Sequence, residues 1–201
     1  MSAAPRLAVL VSGGGRSLEN LAAVIARGEL EAELALVISD RVGTGALERC
    51  TRLGVPALVY PYPTEGGTAE FSRRIFAELE EHEIQLCVLA GFLRLLKIPK
   101  AWNGRVINIH PALLPAFGGK GFYGDRVHAA VLASHVRETG CTVHFVDDQY
   151  DHGTIILQRK VPVLAGDDVH RLAARVFEEE KLALPEAIRR VLAGQARPAA
   201  R

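Results

Sequence analysis

Short, unbroken runs of apolar and β-branched residues, separated by stretches with helical spacing, constrain this chain more than any other feature. The runs cover residues 7–11, Glu33–Ser39, 84–90 and 106–109. Each is bounded within a few residues by glycine, proline or a polar turn, and each is nearly uniform in apolarity, as a strand covered on both faces must be. Between them lie an amphipathic pattern through Leu18, Leu21, Ala22 and Ile25, a helical segment over Gly45–Leu53, a short strand over 57–60, and a helix over 68–81 with Phe71, Ile75, Phe76 and Leu79 on one side. Buried strands alternating with helices make a parallel sheet joined by right-handed crossovers. The expected fold is therefore α/β, a single doubly wound, mostly parallel sheet with helices on both faces, Rossmann-like in plan. In such sheets ligands bind outside the carboxyl ends of the strands, near the point where strand order reverses.

Three segments fall on that edge. The first run ends in Ser12, Gly13, Gly14, Gly15, Arg16 and Ser17 ahead of the first helix. Glycines there let backbone N–H groups approach an anion at a helix amino terminus, which reads as a phosphate site. A dinucleotide reading stays open because Asp40 closes the second strand, although Leu18 stands where the third glycine of that fingerprint belongs. A tight turn without a ligand is the other alternative. The second segment is Gly91, Phe92, Leu93, Arg94, Leu95 and Leu96, which serves either as core or as the wall of a pocket for a flat aromatic ligand. The third is the strand end and proline-rich loop over 105–115, where Asn108 and His110 stand two positions apart and so project from one face of an extended chain. They either cap the strand by bonding loop backbone or carry chemistry.

Past Pro115, the loop over 116–124 holds four glycines and Lys120 and reads as a flap or a surface loop. A helix over 125–136 follows. Residues 140–146 alternate Thr142 and His144 with Val143 and Phe145, which predicts a half-buried strand and a structural His144. Asp147, Asp148, Gln149, Tyr150 and Asp151 then form an acidic loop, 154–162 a last strand, and Val169–Leu192 a long helix. The boundaries expected are one domain over 1–194, with a phosphate-binding half of about 1–100 and a catalytic half of about 101–194, and a frayed tail over 195–201.

With 201 residues, 49% apolar, the chain can bury one sizeable core. Its 24 basic and 23 acidic residues leave a formal charge of +1 and no footprint for nucleic acid or an anionic membrane. The three cysteines have no Cys-x-x-Cys spacing, and His152 has no second histidine at ligand spacing, so neither a disulfide framework nor a metal is expected. The first apolar run is too short for a signal core or a membrane span, which points to a cytoplasmic protein.

Taken together, Asn108-Ile109-His110-Pro111-Ala112-Leu113-Leu114-Pro115, Gly140-Cys141-Thr142-Val143-His144-Phe145-Val146, Asp151-x-Gly153 and Gly91-Phe92-Leu93-Arg94 resemble the 10-formyltetrahydrofolate-dependent formyltransferases, over nearly the whole chain. The resemblance implies transfer of the formyl group of 10-formyltetrahydrofolate to the amine of glycinamide ribonucleotide in purine synthesis, by a monomer or homodimer without metal. It implies catalytic roles for Asn108, His110 and Asp151, phosphate contact by Gly13, Gly14, Gly15, Arg16 and Ser17, ribose contact by Glu180, and a folate pocket walled by Leu93, Arg94, Leu95 and Leu96 with Asp147, Asp148, Gln149, Tyr150, Asp151 and Asn108. On that reading Asn108 donates to an oxyanion, Asp151 raises the pKa of a protonated His110, and Thr142 or a water shuttles a proton. Arg16 and Ser17 depart from the usual Ser-Asn of the turn, Phe177 stands where a polar residue often meets the phosphate, and the loop over 61–67 offers no arginine. Arg16 or Lys120 is then the candidate cation. Another formyl-folate enzyme, a hydrolase, and a non-catalytic nucleotide-binding protein are the alternatives.

Overall fold

The computed structural model describes residues 3–62 and 67–199. Four residues of the expected loop over 61–67, residues 63–66, and the last two of the expected tail lie outside the described residues. Seven strands form one sheet in the order β3-β2-β1-β4-β5-β6-β7. They are β1 (Arg6–Val11), β2 (Glu33–Ser39), β3 (Ala57–Val59), β4 (Leu86–Ala90), β5 (Val106–His110), β6 (Glu138–Phe145) and β7 (Ile155–Pro162). The helices are α1 (Arg16–Ala26), α2 (Gly45–Leu53), α3 (Gly67–Glu81), α4 (Asp125–Ala133) and α5 (Val169–Leu192). The backbone divides into two compact units, 1–107 and 108–201.

In the first unit β1 pairs in parallel with β2 on one side and β4 on the other, and β3 continues the parallel order beyond β2. Strand order reverses at β1, so its carboxyl end is the place where two crossovers leave in opposite directions and a crevice opens. Leu7 through Val11 have no exposure at all, which is why this run carries no polar alternation. Helix α2 ends at Gly54, whose φ of 68° takes the left-handed conformation that closes the last turn.

In the second unit β6 and β7 pair antiparallel, from Glu138 opposite Pro162 to His144 opposite Ile155. Helix α5 packs on both strands and on α4. It starts where the Asp168 side chain accepts the Arg171 N–H at 2.8 Å, a hydrogen bond that satisfies one of the free donors of the first turn. Helix α4 stops at Ala133, three residues before the expected end, because the chain turns at Ser134 and His135 takes a φ of 54°. A larger difference concerns β6. Alternation implied one wet face, yet every residue from Thr139 to Phe145 is buried. The Thr142 and His144 side chains are covered because other protein groups use them as hydrogen-bond partners, whereas the Thr139 hydroxyl is buried without one. Among the described residues no helix is long and apolar enough to cross a membrane.

Gly140 is a tight point of the β6–β7 pairing. A Cβ there would stand 1.9 Å from the Arg159 carbonyl oxygen and 2.9 Å from Leu113 Cδ2. The Gly140→Ala substitution is therefore expected to force the two strands apart and lower unfolding free energy by about 2 kcal/mol or more. Urea unfolding of the variant checks this, and a loss under about 0.5 kcal/mol would contradict the contact.

Candidate active site

The residues with the strongest chemical signal come together inside the second unit. Asn108 and His110 lie at the carboxyl end of β5, and Asp151 lies in the turn after β6. The return of that turn depends on Gly153, where a Cβ would stand 1.9 Å from the Phe145 carbonyl oxygen. Asp151 itself takes a φ of 53°, a left-handed conformation that aspartate tolerates better than most residues.

Asp151 sits at the centre of the cluster. Its Oδ1 accepts the Asn108 amide at 3.2 Å and its Oδ2 accepts the Gly119 N–H at 2.9 Å. His110 Nδ1 stands 3.5 Å from Oδ2, and His144 Nε2 stands 3.6 Å from Oδ1. Burial raises the cost of the charge, but His144, His110 and the Gly119 N–H together hold the carboxyl below its ordinary value of 3.8. Asp151 is therefore a carboxylate at neutral pH.

Hydrogen-bond direction fixes one hydrogen on each of the two imidazoles. Nε2 of His110 lies 2.8 Å from the Phe117 carbonyl oxygen and Nδ1 of His144 lies 2.7 Å from the Phe145 carbonyl oxygen. A carbonyl can only accept, so each of these nitrogens carries its hydrogen. His144 Nε2 is then the acceptor for Asn108 Nδ2 at 3.0 Å. The Asn108 amide thus spends its two hydrogens on His144 and Asp151, an orientation that the reversed amide, with its oxygen against a carboxylate, would lose.

Two expectations are corrected here. Asp151 does pull the His110 pKa upward, as does the Phe117 carbonyl, but burial pushes it down further, and the imidazole ends below its ordinary 6.5. His110 rests neutral, not protonated. Thr142 is no proton shuttle: its hydroxyl donates to the Ala112 carbonyl at 2.7 Å and accepts the Leu114 N–H at 3.0 Å and Gln158 Nε2 at 2.9 Å. Those bonds, with Gln158 Nε2 on the Leu114 carbonyl at 2.9 Å, fasten the proline-rich loop after His110. The loop over 116–124 is neither a detached flap nor plain surface, since its Phe117 carbonyl and Gly119 N–H enter the cluster. His144, read from alternation as structural, belongs to the cluster as well. The missed signal was chemical: a half-buried Asn108 needs a partner for each amide hydrogen, and a histidine two residues from Thr142 on the same face was available.

Elsewhere in the second unit, Asp147 accepts the Gln149 N–H at 2.9 Å and pairs with His152 at 2.7 Å, which shapes the turn before Asp151. Glu180, on α5, lies near enough to Cys141 to help burial push that thiol up to about 12. Lys120 is exposed.

The first unit holds the remaining candidates. Gly15 takes a φ of 77° at the start of α1, and a Cβ there would meet Ala46 at 2.8 Å, so the glycine turn lies tight against the amino end of α2. Arg16 opens α1 on the surface and Ser17 follows. Ser12 ties this turn to the segment after β4, its N–H donating to the Gly91 carbonyl at 3.1 Å and its hydroxyl accepting the Leu93 N–H at 2.9 Å. Arg94 binds the fully buried Asp40 carboxylate at 2.6 Å and lies over the Tyr62 ring at 4.6 Å. Burial works against the Asp40 charge, yet Arg41, Arg94 and Ser12 hold its pKa below 3.8. Among the described residues no group of three or more His, Cys, Asp or Glu side chains is placed to hold a metal ion.

The profile of the family described as formyl transferase matches residues 5–188. The chain is 42% identical over 191 residues to the trifunctional purine biosynthetic protein adenosine-3 of Gallus gallus, covering 94% of this chain and 18% of that protein. It is 39% identical over 177 residues to the chloroplastic phosphoribosylglycinamide formyltransferase of Vigna unguiculata, covering 87% of this chain and 57% of the relative. It thus spans less than two thirds of either curated relative. Among solved structures, glycinamide ribonucleotide transformylase 1 from Symbiobacterium toebii superposes with a TM-score of 0.89 at 38% identity, over 96% of this chain and 90% of that one. Phosphoribosylglycinamide formyltransferase from Brucella melitensis gives 0.84 at 33% identity, over 98% and 100%.

A neutral buried His110 has a consequence for stability. The folded pKa lies below the unfolded value, so stability is fully present above pH 6.5 and declines as the unfolded chain gains a proton that the folded one refuses. Unfolding free energy at about pH 5.5 is expected to fall below that at about pH 7.5, and His110→Phe is expected to shrink the difference. An equal loss in wild type and variant would contradict the assignment.

Proposed function

The chain belongs to the formyl transferase family, and from that premise we propose that it transfers the formyl group of 10-formyltetrahydrofolate to the amine of glycinamide ribonucleotide. The products are formylglycinamide ribonucleotide and tetrahydrofolate, an intermediate step of purine synthesis. The observation that carries this reading is the placing of His110, with Nε2 on the Phe117 carbonyl oxygen at 2.8 Å and Nδ1 facing the Asp151 carboxylate at 3.5 Å.

A primary amine that attacks a formyl carbon gives a tetrahedral intermediate with an oxyanion and an excess proton on nitrogen. His110 Nδ1 takes that proton, and the imidazolium so formed is stabilised by Asp151. The same nitrogen then gives the proton to the departing folate nitrogen as its bond to carbon breaks. The new bond is carbon to amine nitrogen, the broken one carbon to folate nitrogen, and one proton passes between them. Asn108 serves the oxyanion by turning one amide hydrogen from its protein partner to the substrate oxygen.

In the same reading Gly13, Gly14, Gly15, Arg16 and Ser17 receive the ribonucleotide phosphate through backbone N–H groups at the start of α1. Glu180 holds the ribose, while Leu93, Arg94, Leu95 and Leu96 with Asp147, Asp148, Gln149 and Tyr150 wall the folate. Arg16 or Lys120 supplies the cation, so at least one of Arg16→Ala and Lys120→Ala raises the KM for the ribonucleotide, and two unchanged values would refute both.

The deciding experiment follows a labelled formyl group from 10-formyltetrahydrofolate with and without glycinamide ribonucleotide. Label is expected on the ribonucleotide; release as formate alone would instead mark a hydrolase. His110→Ala and Asp151→Asn are each expected to cut kcat by about two orders of magnitude or more. Because the base form of His110 is required, the acid limb of kcat/KM is expected below pH 6.5. A limb above that value would contradict a neutral resting histidine.

A further inference from the structure

Three consecutive residues of the loop after Pro115 lie close to the His110–Asp151 pair. Phe117 takes a φ of 56°, a left-handed conformation that a bulky side chain adopts only under strain. Its carbonyl oxygen thereby reaches His110 Nε2 at 2.8 Å. Gly118 has no room for a side chain, since a Cβ would stand 2.5 Å from Leu114 Cδ2 and 3.2 Å from Asp151 Cβ. Gly119 takes a φ of 98° and its N–H donates to Asp151 Oδ2 at 2.9 Å.

The two ends of this clasp act on opposite members of the pair. Asp151 alone, 3.5 Å from Nδ1, would draw the hydrogen of a neutral His110 onto Nδ1, because a carboxylate prefers to face a donor. That tautomer would leave the basic nitrogen, Nε2, turned into the loop. The Phe117 carbonyl opposes it by claiming an Nε2 hydrogen. We infer that the backbone of Phe117, Gly118 and Gly119 is a positioning element that sets His110 in its Nε2–H tautomer and so selects Nδ1 as the nitrogen that exchanges protons during turnover. The inference rests on the proposed role of His110 in formyl transfer. The tautomer is nevertheless a property of the protein without substrate, so a failure of the clasp and a failure of the formyl-transfer reading give different results.

Long-range proton–nitrogen NMR spectra of the full chain with nitrogen-15 histidine read the tautomer directly at neutral pH. His110 is expected to carry its hydrogen on Nε2 and a lone pair on Nδ1; a hydrogen on Nδ1 in the wild type would overturn the inference by itself. Two variants test the cause. Phe117→Val puts a β-branched residue where φ is positive, and Gly118→Ala presses on Asp151. Both are expected to populate the Nδ1–H form, shift the kcat pH profile and lower kcat about ten-fold or more. Phe117→Gly, which reaches a φ of 56° without strain, is expected to bring back the wild-type tautomer and pH profile seen before Phe117→Val. A wild-type tautomer and profile in both Phe117→Val and Gly118→Ala would show that the loop does not set the proton.

Discussion

Everything at the candidate site depends on a carboxylate kept charged inside the protein. A buried carboxylate is tolerated only where hydrogen-bond donors replace the water it has lost. Asp151 receives two, the Asn108 amide and the Gly119 N–H, and two imidazoles stand beyond them at 3.5 and 3.6 Å. Each arrangement around it follows. The amide of Asn108 must present nitrogen rather than oxygen, His144 must accept rather than donate at Nε2, and the loop at Gly119 must come within hydrogen-bond distance. The same charge is what stabilises an imidazolium at His110 when a proton arrives, while burial keeps that proton away until then. A base that is neutral at rest, beside a carboxylate that makes its charged form accessible, suits a reaction in which one proton moves between two nitrogens.

The first unit solves a different problem with related means. Its candidate segments follow the ends of parallel strands and must be held in a fixed relation. Ser12 does this with two hydrogen bonds to the segment after β4, and Asp40 does it with an ion pair to Arg94 on that same segment. Asp40, which from position alone could serve a ribose, has its carboxylate occupied by Arg41, Arg94 and Ser12. That occupancy removes the simplest ground for the dinucleotide alternative.

Much of the fold was legible because buried parallel strands write themselves as unbroken apolar runs. Glu33–Ser39, Gly45–Leu53 and Val169–Leu192 have in the structure the bounds that their residues imply. The carboxyl end of α4 was less legible, since nothing in residues 134–136 announces the left-handed turn at His135. Residues 140–146 misled for a physical reason: Thr142 and His144 look like a wet face, but buried hydrogen bonds to Ala112, Leu114, Gln158 and Asn108 make that face interior. The grouping of Asn108, His110 and Asp151 could be anticipated from their motifs. The sign of the His110 shift could not, because it is a balance between burial and two attractive neighbours that only packing decides. Nor could the backbone contribution of Phe117 and Gly119, which carries no residue-type signature beyond a glycine-rich loop.

The proton path through His110 Nδ1 requires Asp151 to be ionised throughout the working pH range. A carbon-13 NMR titration of the Asp151 side-chain carboxyl in the protein without substrate measures this directly, with Asp151→Asn to assign the signal. A midpoint below the ordinary 3.8 is expected. A midpoint above that value would mean that the hydrogen bonds and imidazoles do not offset burial, and the proton path through His110 Nδ1 would lose its support.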